Sequence, residues 1–385
     1  MSLSQSIKKI ALSPYFQAAL LLLVCIAAAL QAIQQDEIAN FMIFKTATQR
    51  FFDHTNLYDF IGYNIIWDKY LYSPTFCVLF YPFSQLPNSI AIISWLLLGS
   101  FLFLYALRKL PLYEWQKAIV FFIALIDLVN SLQNLQTNAL NTAFMLLIFT
   151  SFHNKKPMLA GLFTGLCLTI KIYPAATALL FLFYPNKIKF LFSTLLFTAA
   201  LFCIPLLFVP TEYYKLCLEN WYHTLADDTS ILAIWKSPSL IGINYTWFPQ
   251  TLNHFYLQLG GLLLVFLPLV KLAKKQVDLH FILLYLALIM IFVVIFNHAA
   301  ESPTYVIAIT GAAIWYAISK RTSSDNILLA LLFIACILLP TDIYPRWLRH
   351  EYFMPLKLRV VPVFIIWIRI LYQLLTYKPK SAALA

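Results

Sequence analysis

The stretch IMIFVVIFNHAAESPTYVIAIT, residues 289–310, places two apolar runs on either side of the short polar turn FNHAAESPT, residues 296–304. Apolar runs of membrane-spanning length predict transmembrane helices, and this alternation of run and turn recurs along the chain. Of the 385 residues, 62% are hydrophobic and only 11% are charged, which excludes an ordinary soluble domain. The sequence therefore predicts an all-α polytopic membrane protein with about 10–12 transmembrane helices, forming a single domain over residues 1–385.

Clusters of Lys and Arg separate the apolar runs and indicate which helix ends face the cytoplasm. All clusters lie on one side if the chain crosses the bilayer about twelve times, so topology and not nucleic-acid binding explains the net charge of +11. The predicted spans are approximately 14–34, 88–107, 116–132, 138–152, 158–171, 174–185, 188–209, 257–270, 280–296, 303–319, 326–340 and 361–377. The clusters are Lys8/Lys9, Arg108/Lys109, Lys155/Lys156, Lys187/Lys189, Lys271/Lys274/Lys275, Lys320/Arg321 and Lys378/Lys380. The first span resembles a cleavable signal peptide, but about 20 apolar residues are long enough for an uncleaved helix.

Two long loops, residues 35–87 and 210–256, and a shorter one, 341–360, fall on the opposite, extracytoplasmic side. Most carboxylates and three tight polar turns fall there too, so we expect any active site to face outward at the membrane surface. The six cysteines are scattered without a CxxC pair and predict neither a zinc site nor a disulfide framework. Carboxylates do not cluster within one turn, so no metal is predicted. No other cofactor is expected.

The segment KIYP, Lys171 to Pro174, separates two apolar runs that are short for a full crossing. Because Pro174 disfavours helical backbone at Tyr173, we interpret the runs as a broken or re-entrant pair whose open backbone lines a polar cavity. Lys171 is a candidate phosphate contact, although most lysines at a membrane edge simply extend to the interface. Arg369, inside the last apolar run, has the same two interpretations.

The polar turn 296–304 contains Asn297, His298 and Glu301. Helix ends account for part of its composition, since the serine and proline that follow Glu301 would cap and begin the next helix. They do not account for a His and a Glu three residues apart. We therefore interpret Glu301 as a candidate catalytic carboxylate, and Asn297 and His298 as candidate substrate-binding residues.

A second polar turn, NSLQNLQTN at residues 130–138, carries several amides. Amides offer hydrogen-bond donors and acceptors that suit sugar hydroxyls, but an ordinary turn between two helices is an equally good interpretation. The candidate sugar-binding amides are Gln133, Asn134, Gln136 and Asn138. In the first long loop, Asp68, Lys69 and Tyr72 lie within the aromatic segment WDKYLYSPTF, residues 67–76. A solvated charge and an interfacial aromatic belt are the simpler interpretations of that segment.

Several segments together resemble glycosyltransferase family 87, a GT-C type group of polytopic enzymes that includes polyprenol-phosphate-mannose-dependent mannosyltransferases. They are NFMIFKTATQRFFDHTNLYD (40–59), DKYLYSPTFCVLFYPFSQLP (68–87), LQNLQTNAL (132–140), LTIKIYP (168–174) and FNHAAESPTYVIA (296–308). The matching segments follow the family order over most of the chain. Their particular sequences are similar to those of an uncharacterised branch common in Bacteroidetes. The resemblance implies a GT-C fold, a lipid-linked sugar donor and a first extracytoplasmic loop that contributes to the active site.

One position departs from the family pattern. Family members with demonstrated activity resemble a pattern in which an Asp stands where this chain has Asn40, itself a candidate substrate-binding residue. The resemblance therefore leaves the catalytic base open. The candidates are Asp36, Glu37, Asp68 and Glu301. Lys171 with His298, and also Lys69, would contact the donor phosphate, while the amides would bind the sugar.

The resemblance implies transfer of mannose, or another hexose or pentose, from a polyprenyl-phosphate donor to an extracytoplasmic glycan or lipid acceptor. The implied location is a bacterial inner (plasma) membrane, with the active site facing the periplasm or exterior. The expected partners are donor, acceptor and lipid bilayer, without nucleic acid. A lipid or sugar transporter or flippase would also use broken helices and polar turns, although here these gather at one face and not at the midplane. A non-catalytic GT-C-like subunit that lost the family Asp is the third interpretation.

Overall fold

The computed structural model describes residues 9–64, 66–227, 236–248, 252–272 and 277–378. Within these ranges the chain is mostly α-helical. Its α-helices are Pro14–Gln34, Ala39–Phe52, Pro74–Ser84, Asn88–Lys109, Glu114–Gln133, Asn138–His153, Pro157–Ile170, Lys187–Cys203, Thr211–Asp227, Leu240–Trp247, His254–Leu272, Leu279–Ile295, Tyr305–Ile318, Ser323–Leu332, Arg346–Leu348 and Val360–Leu375. The 3-10 helices are Tyr173–Phe183, Ile204–Leu207 and Ser302–Thr304, the π-helices are Phe333–Ile337 and Arg349–Phe353, and the strands are Ile61–Tyr63 and Ile66–Asp68. Four of the predicted cytoplasmic lysines, Lys8, Lys274, Lys275 and Lys380, lie outside the described residues.

Four helices are long and apolar enough to cross a membrane, judged by their length and composition. They are Pro14–Gln34, Asn88–Lys109, Glu114–Gln133 and the continuous segment Lys187–Leu207. Shorter apolar helices of 10–17 residues occur along the chain as well. The all-α polytopic membrane architecture predicted from the composition is confirmed.

Contacts along the chain define two compact units, and each is described by itself. The first consists of Met1–Ala118, Leu128–Ala178 and Tyr184–Thr229. Its centre is the helix Asn138–His153, in which every residue except His153 is buried. A helix that is buried on all sides requires neighbouring helices, and this one packs against Asn88–Lys109 and Pro157–Ile170.

The second unit consists of Ile119–Asp127, Leu179–Phe183 and Ser230–Ala385. Its centre is the helix pair Leu279–Ile295 and Tyr305–Ile318, joined by the polar turn 296–304, and both helices are almost entirely buried. Gly311 allows them to approach closely, because a Cβ there would lie 2.9 Å from Cβ of Met290. The helix Val360–Leu375 packs against the first helix of the pair. The turn 296–304 is thus set between rigid elements.

The first long loop predicted from the sequence, residues 35–87, is folded. It contains two helices and a short antiparallel hairpin in which Ile61 pairs with Asp68. The two helices pack through aromatic rings, with the ring centroids of Phe44 and Phe76 separated by 5.4 Å. Aromatic contacts of this kind stabilise helices too short to be recognised as spans from hydropathy.

The interruption predicted at KIYP is confirmed. The helix Pro157–Ile170 ends at Lys171, whose backbone is extended with φ −141° and ψ 130°. The predicted α-helical span 174–185 is wrong in type, because Tyr173–Phe183 is a 3-10 helix. Pro174 explains the break, since it lacks an N–H group and disfavours α-helical backbone at the residue before it.

Close packing at Gly161 gives the first testable prediction. A Cβ there would lie 2.3 Å from Oγ of Ser193 and 2.7 Å from the backbone nitrogen of Thr194, on the neighbouring helix. We expect Gly161→Ala to destabilise the protein by about 1–3 kcal/mol, the usual effect of overpacking, and to lower the thermal unfolding midpoint. Gly260→Ala is the matched control, because a Cβ there meets nothing within 4 Å. Equal midpoints for the two variants would contradict the close helix contact.

Candidate functional site

The break after Ile170 places Lys171 among aromatic rings in the first unit. Its ammonium nitrogen lies 5.5 Å from the ring centroid of Tyr72 and 6.0 Å from that of Tyr173. The negative face of an aromatic ring attracts a cation and orients it without neutralising its formal charge. The partly exposed Lys171 thus places its side-chain nitrogen near two rings at the point where the helix is interrupted.

Hydrogen-bonding side chains surround these two tyrosines. The hydroxyl of Tyr173 donates to Oδ1 of Asn138 at 3.3 Å, and Nδ2 of Asn138 donates to Oε1 of Gln136 at 2.7 Å. The hydroxyl oxygen of Tyr72 lies 3.2 Å from Oγ1 of Thr137. Two of the four predicted sugar-binding amides are therefore linked to Tyr173, one of the two rings near Lys171. We call the group formed by Tyr72, Gln136, Asn138, Lys171 and Tyr173 the lysine–amide cluster.

The other two amides of the same turn make different contacts. Nε2 of Gln133 donates to Oε1 of Gln31 at 2.8 Å, and Nδ2 of Asn134 donates to a backbone carbonyl of its own helix at 2.8 Å. Between them and the cluster, Leu135 has the left-handed backbone φ of 54°, and its carbonyl accepts a hydrogen bond from Nε1 of Trp95 at 3.0 Å. Left-handed backbone at a leucine is strained and persists only where surrounding contacts enforce it.

Asn40, a candidate substrate-binding residue, has a specific contact. Its Nδ2 donates to the backbone carbonyl of Asn134 at 3.0 Å, which links the helix Ala39–Phe52 to the amide turn. An ionised aspartate has only acceptor atoms and would face the carbonyl oxygen without a hydrogen bond. The amide is therefore the side chain that this contact requires.

Asp36 forms hydrogen bonds with the turn of the hairpin in the first loop. One carboxylate oxygen accepts a hydrogen bond from the hydroxyl of Tyr63, and the other accepts one from Nδ2 of Asn64 at 2.7 Å. These bonds, that from Tyr63 foremost, lower the pKa of the Asp36 carboxyl below its ordinary value. Glu37, the next residue, is exposed. Asp36 thus has a structural partner for each oxygen.

The contacts of Asp36 predict a pH dependence of stability. A carboxyl whose pKa is lowered by folding stabilises the protein above its unfolded-state pKa, and this stabilisation is lost as the pH falls through the folded-state pKa. We expect Asp36→Asn to lower the thermal unfolding midpoint by a constant amount between about pH 5 and pH 8, and the difference from wild type to shrink below about pH 4. A difference that stays the same at acidic pH would contradict the role of the carboxylate.

Lys69 and Asp68 form part of a local charge network in the first unit. Nζ of Lys69 lies 3.7 Å from Oδ2 of Asp227 and 5.2 Å from the ring centroid of Phe60. Oδ1 of Asp68 accepts a hydrogen bond from the backbone nitrogen of Lys69 at 2.8 Å. The carboxylate of Asp227 thus offsets part of the charge of Lys69.

The turn 296–304 in the second unit is fixed by hydrogen bonds to its backbone. Oγ of Ser237 lies within hydrogen-bond distance of the carbonyls of Asn297 and Ala300, at 3.3 Å and 3.2 Å. Nε2 of Gln258 donates to the carbonyl of the first residue of the turn at 3.2 Å. The turn therefore has a defined conformation and presents its side chains from a fixed backbone.

His298 and Glu301 have different surroundings within this turn. His298 is half-buried, with its ring centroid 6.2 Å from that of His254 and its Nδ1 3.4 Å from Nε2 of Gln258. Burial, and to a smaller extent His254, lower the pKa of His298 below its ordinary value, so the imidazole is neutral at pH 7. Glu301 is exposed, and it stands at the N-cap position expected for Ser302.

Two buried charged residues that the sequence did not single out adjoin this turn. Nη1 of Arg359 donates to the carbonyl of Ser302 at 3.0 Å and to its Oγ at 2.7 Å, while Nη2 donates to Oδ1 of Asp127. The guanidinium carbon lies 4.0 Å from the ring centroid of Tyr305. Because 232 positions separate Asp127 from Arg359, the pairing is invisible in the sequence. The available signal was a lone aspartate within the apolar run FFIALIDLV, residues 121–129.

Arg369, an alternative phosphate candidate, is part of a structural ion pair. Its Nη2 lies 3.3 Å from Oδ1 of Asp325, whose carboxylate also accepts a hydrogen bond from the backbone nitrogen of Thr322 at 3.1 Å. The pair therefore links the last helix to the cap of Ser323–Leu332. Over the part of the chain that the structure describes, His, Cys, Asp and Glu side chains form no group of three or more that would hold a metal ion.

A helix interrupted at a lysine, and a polar turn fixed by hydrogen bonds, both occur among apolar helices, as expected of an integral membrane protein. The sequence model of glycosyltransferase family 87 matches residues 70–338, more than half of the chain. The chain belongs to glycosyltransferase family 87 and is a membrane glycosyltransferase. No curated protein sequence matches it. The matched region includes the lysine–amide cluster and the turn 296–304, and it begins after Asp36, Glu37 and Asn40.

Proposed function

We propose that this glycosyltransferase moves a mannose, or another hexose or pentose, from a polyprenyl-phosphate donor to an extracytoplasmic glycan or lipid. The observation that carries the proposal is the position of Lys171 at a helix break, near two tyrosine rings, one of which is hydrogen-bonded to an amide pair. A sugar phosphate requires these groups together, because a cation suits the phosphate while amides and aromatic faces suit the sugar.

The reaction requires little covalent chemistry from the protein. The bond between the sugar C1 and the phosphate oxygen breaks, a bond from C1 to the acceptor oxygen forms, and the acceptor proton passes to a base. Polyprenyl phosphate leaves with the bonding electron pair, so the enzyme must neutralise its charge and position both substrates. Lys171 provides a point charge for the first task. The lipid chain remains in the bilayer, where apolar helix surfaces accept it.

Glu301 is the proposed base, because it is an exposed carboxylate on a turn whose backbone is fixed on both sides of it. His298, neutral at pH 7, then acts as a hydrogen-bonding group for substrate and not as a cation. Asn297 shares that turn and is assigned to substrate binding. The assignments to Lys171 and to Glu301 concern different units, and each is tested by its own substitution.

The proposed location is a bacterial plasma membrane, with the reacting groups on the outer side. This assignment rests on the placement of Lys and Arg between the predicted spans, since basic residues mark the cytoplasmic loops. A cysteine placed at Asn134 in a cysteine-free protein should react with an impermeant thiol reagent added from outside. Reaction only from the cytoplasmic side would reverse the topology.

Donor binding tests the proposed substrate class. Purified protein in lipid should gain thermal stability when a polyprenyl-phosphate hexose or pentose is added, by about 2.7 kcal/mol at a concentration 100 times Kd. Nucleotide sugars, which carry no lipid chain, should leave the unfolding midpoint unchanged. Stabilisation by a nucleotide sugar alone would contradict the lipid-linked donor, and transport of the intact donor between leaflets without sugar transfer would favour a flippase.

A further inference from the structure

We propose that Arg359, oriented by Asp127, is a positioning residue that holds the turn 296–304 and through it sets the direction of Glu301. The proposal rests on the proposed function of Glu301 as the base. Arg359 does not itself touch substrate in this account. Its role is to fix the backbone one residue after the carboxylate that reacts.

The contacts of Arg359 are directed at one point of the turn. Its side chain is 5% exposed and that of Asp127 is fully buried. One terminal nitrogen makes both hydrogen bonds to Ser302, and the other bonds to Asp127, which fixes the plane of the guanidinium. Because a guanidinium has a rigid planar arrangement of donors, an orientation set at one end is transmitted to the other.

An aromatic ring completes the arrangement. Tyr305 lies beneath the guanidinium, and its hydroxyl donates to the carbonyl of Pro238 at 2.7 Å. Ser237, the preceding residue, contacts the carbonyls of Asn297 and Ala300. Arg359 therefore contacts the turn at Ser302. The segment of Ser237 and Pro238, which bonds to Tyr305, contacts the turn at Asn297 and Ala300.

Stability alone is a weak reason for a buried pair of this kind. Removing two charges from water is unfavourable, and well-packed apolar residues often replace a buried pair without loss of stability. The donors that an apolar replacement would lack are those directed at Ser302. An experiment can therefore separate the effect of the pair on the stability of the fold from its effect on the conformation of the turn.

The chain offers a matched control in Arg369 and Asp325. That pair also joins an arginine of the last helical segment to a buried aspartate, and its contact with the cap of Ser323–Leu332 lies away from the turn. The variants to compare are Arg359→Met with Asp127→Asn, and Arg369→Met with Asp325→Asn. Both remove one charge pair of the same chemistry from the second unit.

Hydrogen exchange of the full-length protein in lipid is the first measurement. Amides of residues 297–304 should exchange roughly tenfold faster in the Arg359 and Asp127 variant, and at the wild-type rate in the control variant. Unchanged exchange in a folded Arg359 and Asp127 variant would overturn the proposal. Ser302→Ala removes the Oγ contact alone and should give a smaller acceleration in the same peptide. If the double variant does not fold, an unchanged rate in Ser302→Ala overturns the proposal.

A double-mutant cycle with Glu301→Gln is the second measurement. In wild type, Glu301→Gln removes the proposed base. In the Arg359 and Asp127 variant the carboxylate of Glu301 is already displaced, and we expect this displacement alone to lower the transfer rate about 10²-fold. The effect of Glu301→Gln should therefore be much smaller in that background. An equal factor in both backgrounds would overturn the positioning role. A lack of effect of Glu301→Gln in wild type would instead refute the proposed base, while the exchange result would stand.

Discussion

Glu301→Gln is expected to slow sugar transfer about 10²–10⁴-fold, the range that loss of a positioned general base produces. Glutamine keeps the length and hydrogen-bonding shape of the side chain but cannot accept the proton of an acceptor hydroxyl. The rate of the chemical step should fall while donor affinity stays close to that of wild type, because the base acts only as the acceptor is deprotonated. Single-turnover transfer from a labelled lipid-linked donor measures the rate, and thermal stabilisation by the same donor measures the affinity.

Glu212→Gln is the control for this substitution. Glu212 is exposed and pairs with Lys215, three residues further along the helix Thr211–Asp227, at 3.3 Å. Exposed pairs of this type contribute little to stability, so the control variant should fold as wild type does. Wild-type transfer by Glu301→Gln would contradict the assignment. Loss of transfer in Glu37→Gln would then move the base to the first loop.

Lys171→Met is expected to reduce transfer about 10²–10³-fold, the usual effect of removing one group that stabilises developing negative charge. Methionine approximates the length of the lysine stem and preserves contact with the rings of Tyr72 and Tyr173, so the change isolates the charge. Phosphate carries negative charge in the ground state as well, and more of it as the sugar departs. Both the donor affinity and the rate of the chemical step should therefore fall.

Lys215→Met is the matched control for Lys171→Met, since it removes an exposed ammonium from the same unit. Equal transfer rates for the two variants would contradict the phosphate role of Lys171. Loss of transfer with Lys69→Met, and not with Lys171→Met, would assign the phosphate to the lysine that pairs with Asp227.

Hydropathy predicted the long apolar helices of the structure, because each long apolar run must either cross the bilayer or be buried. Proline chemistry likewise predicted the interruption between Ile170 and Tyr173. The folding of residues 35–87 was not predicted, since its helices are stabilised by aromatic contacts such as that between Phe44 and Phe76. Hydropathy along one segment carries no information about such pairs.

The sequence identified residues of the candidate site, but not which of them lie close together in the structure. The sequence placed four amides in one turn, but in the structure Asn138 bonds to Tyr173 and Gln136, whereas Gln133 bonds to Gln31. A turn with left-handed backbone changes the direction of its side chains within a single residue, which residue types alone do not reveal. The buried pair of Asp127 and Arg359 was missed because it depends on a contact between segments that are distant in the sequence.

The measurement that tests the central claim most directly is transfer of labelled sugar by purified protein in lipid vesicles. A panel of polyprenyl-phosphate sugars would be supplied with cell-envelope extract as the source of acceptor, and the product would be followed by the label. We predict that label leaves one donor and appears in an extract component, and that Glu301→Gln protein leaves the donor intact. No transfer from any donor by folded wild-type protein, or transfer only from a nucleotide sugar, would contradict the account.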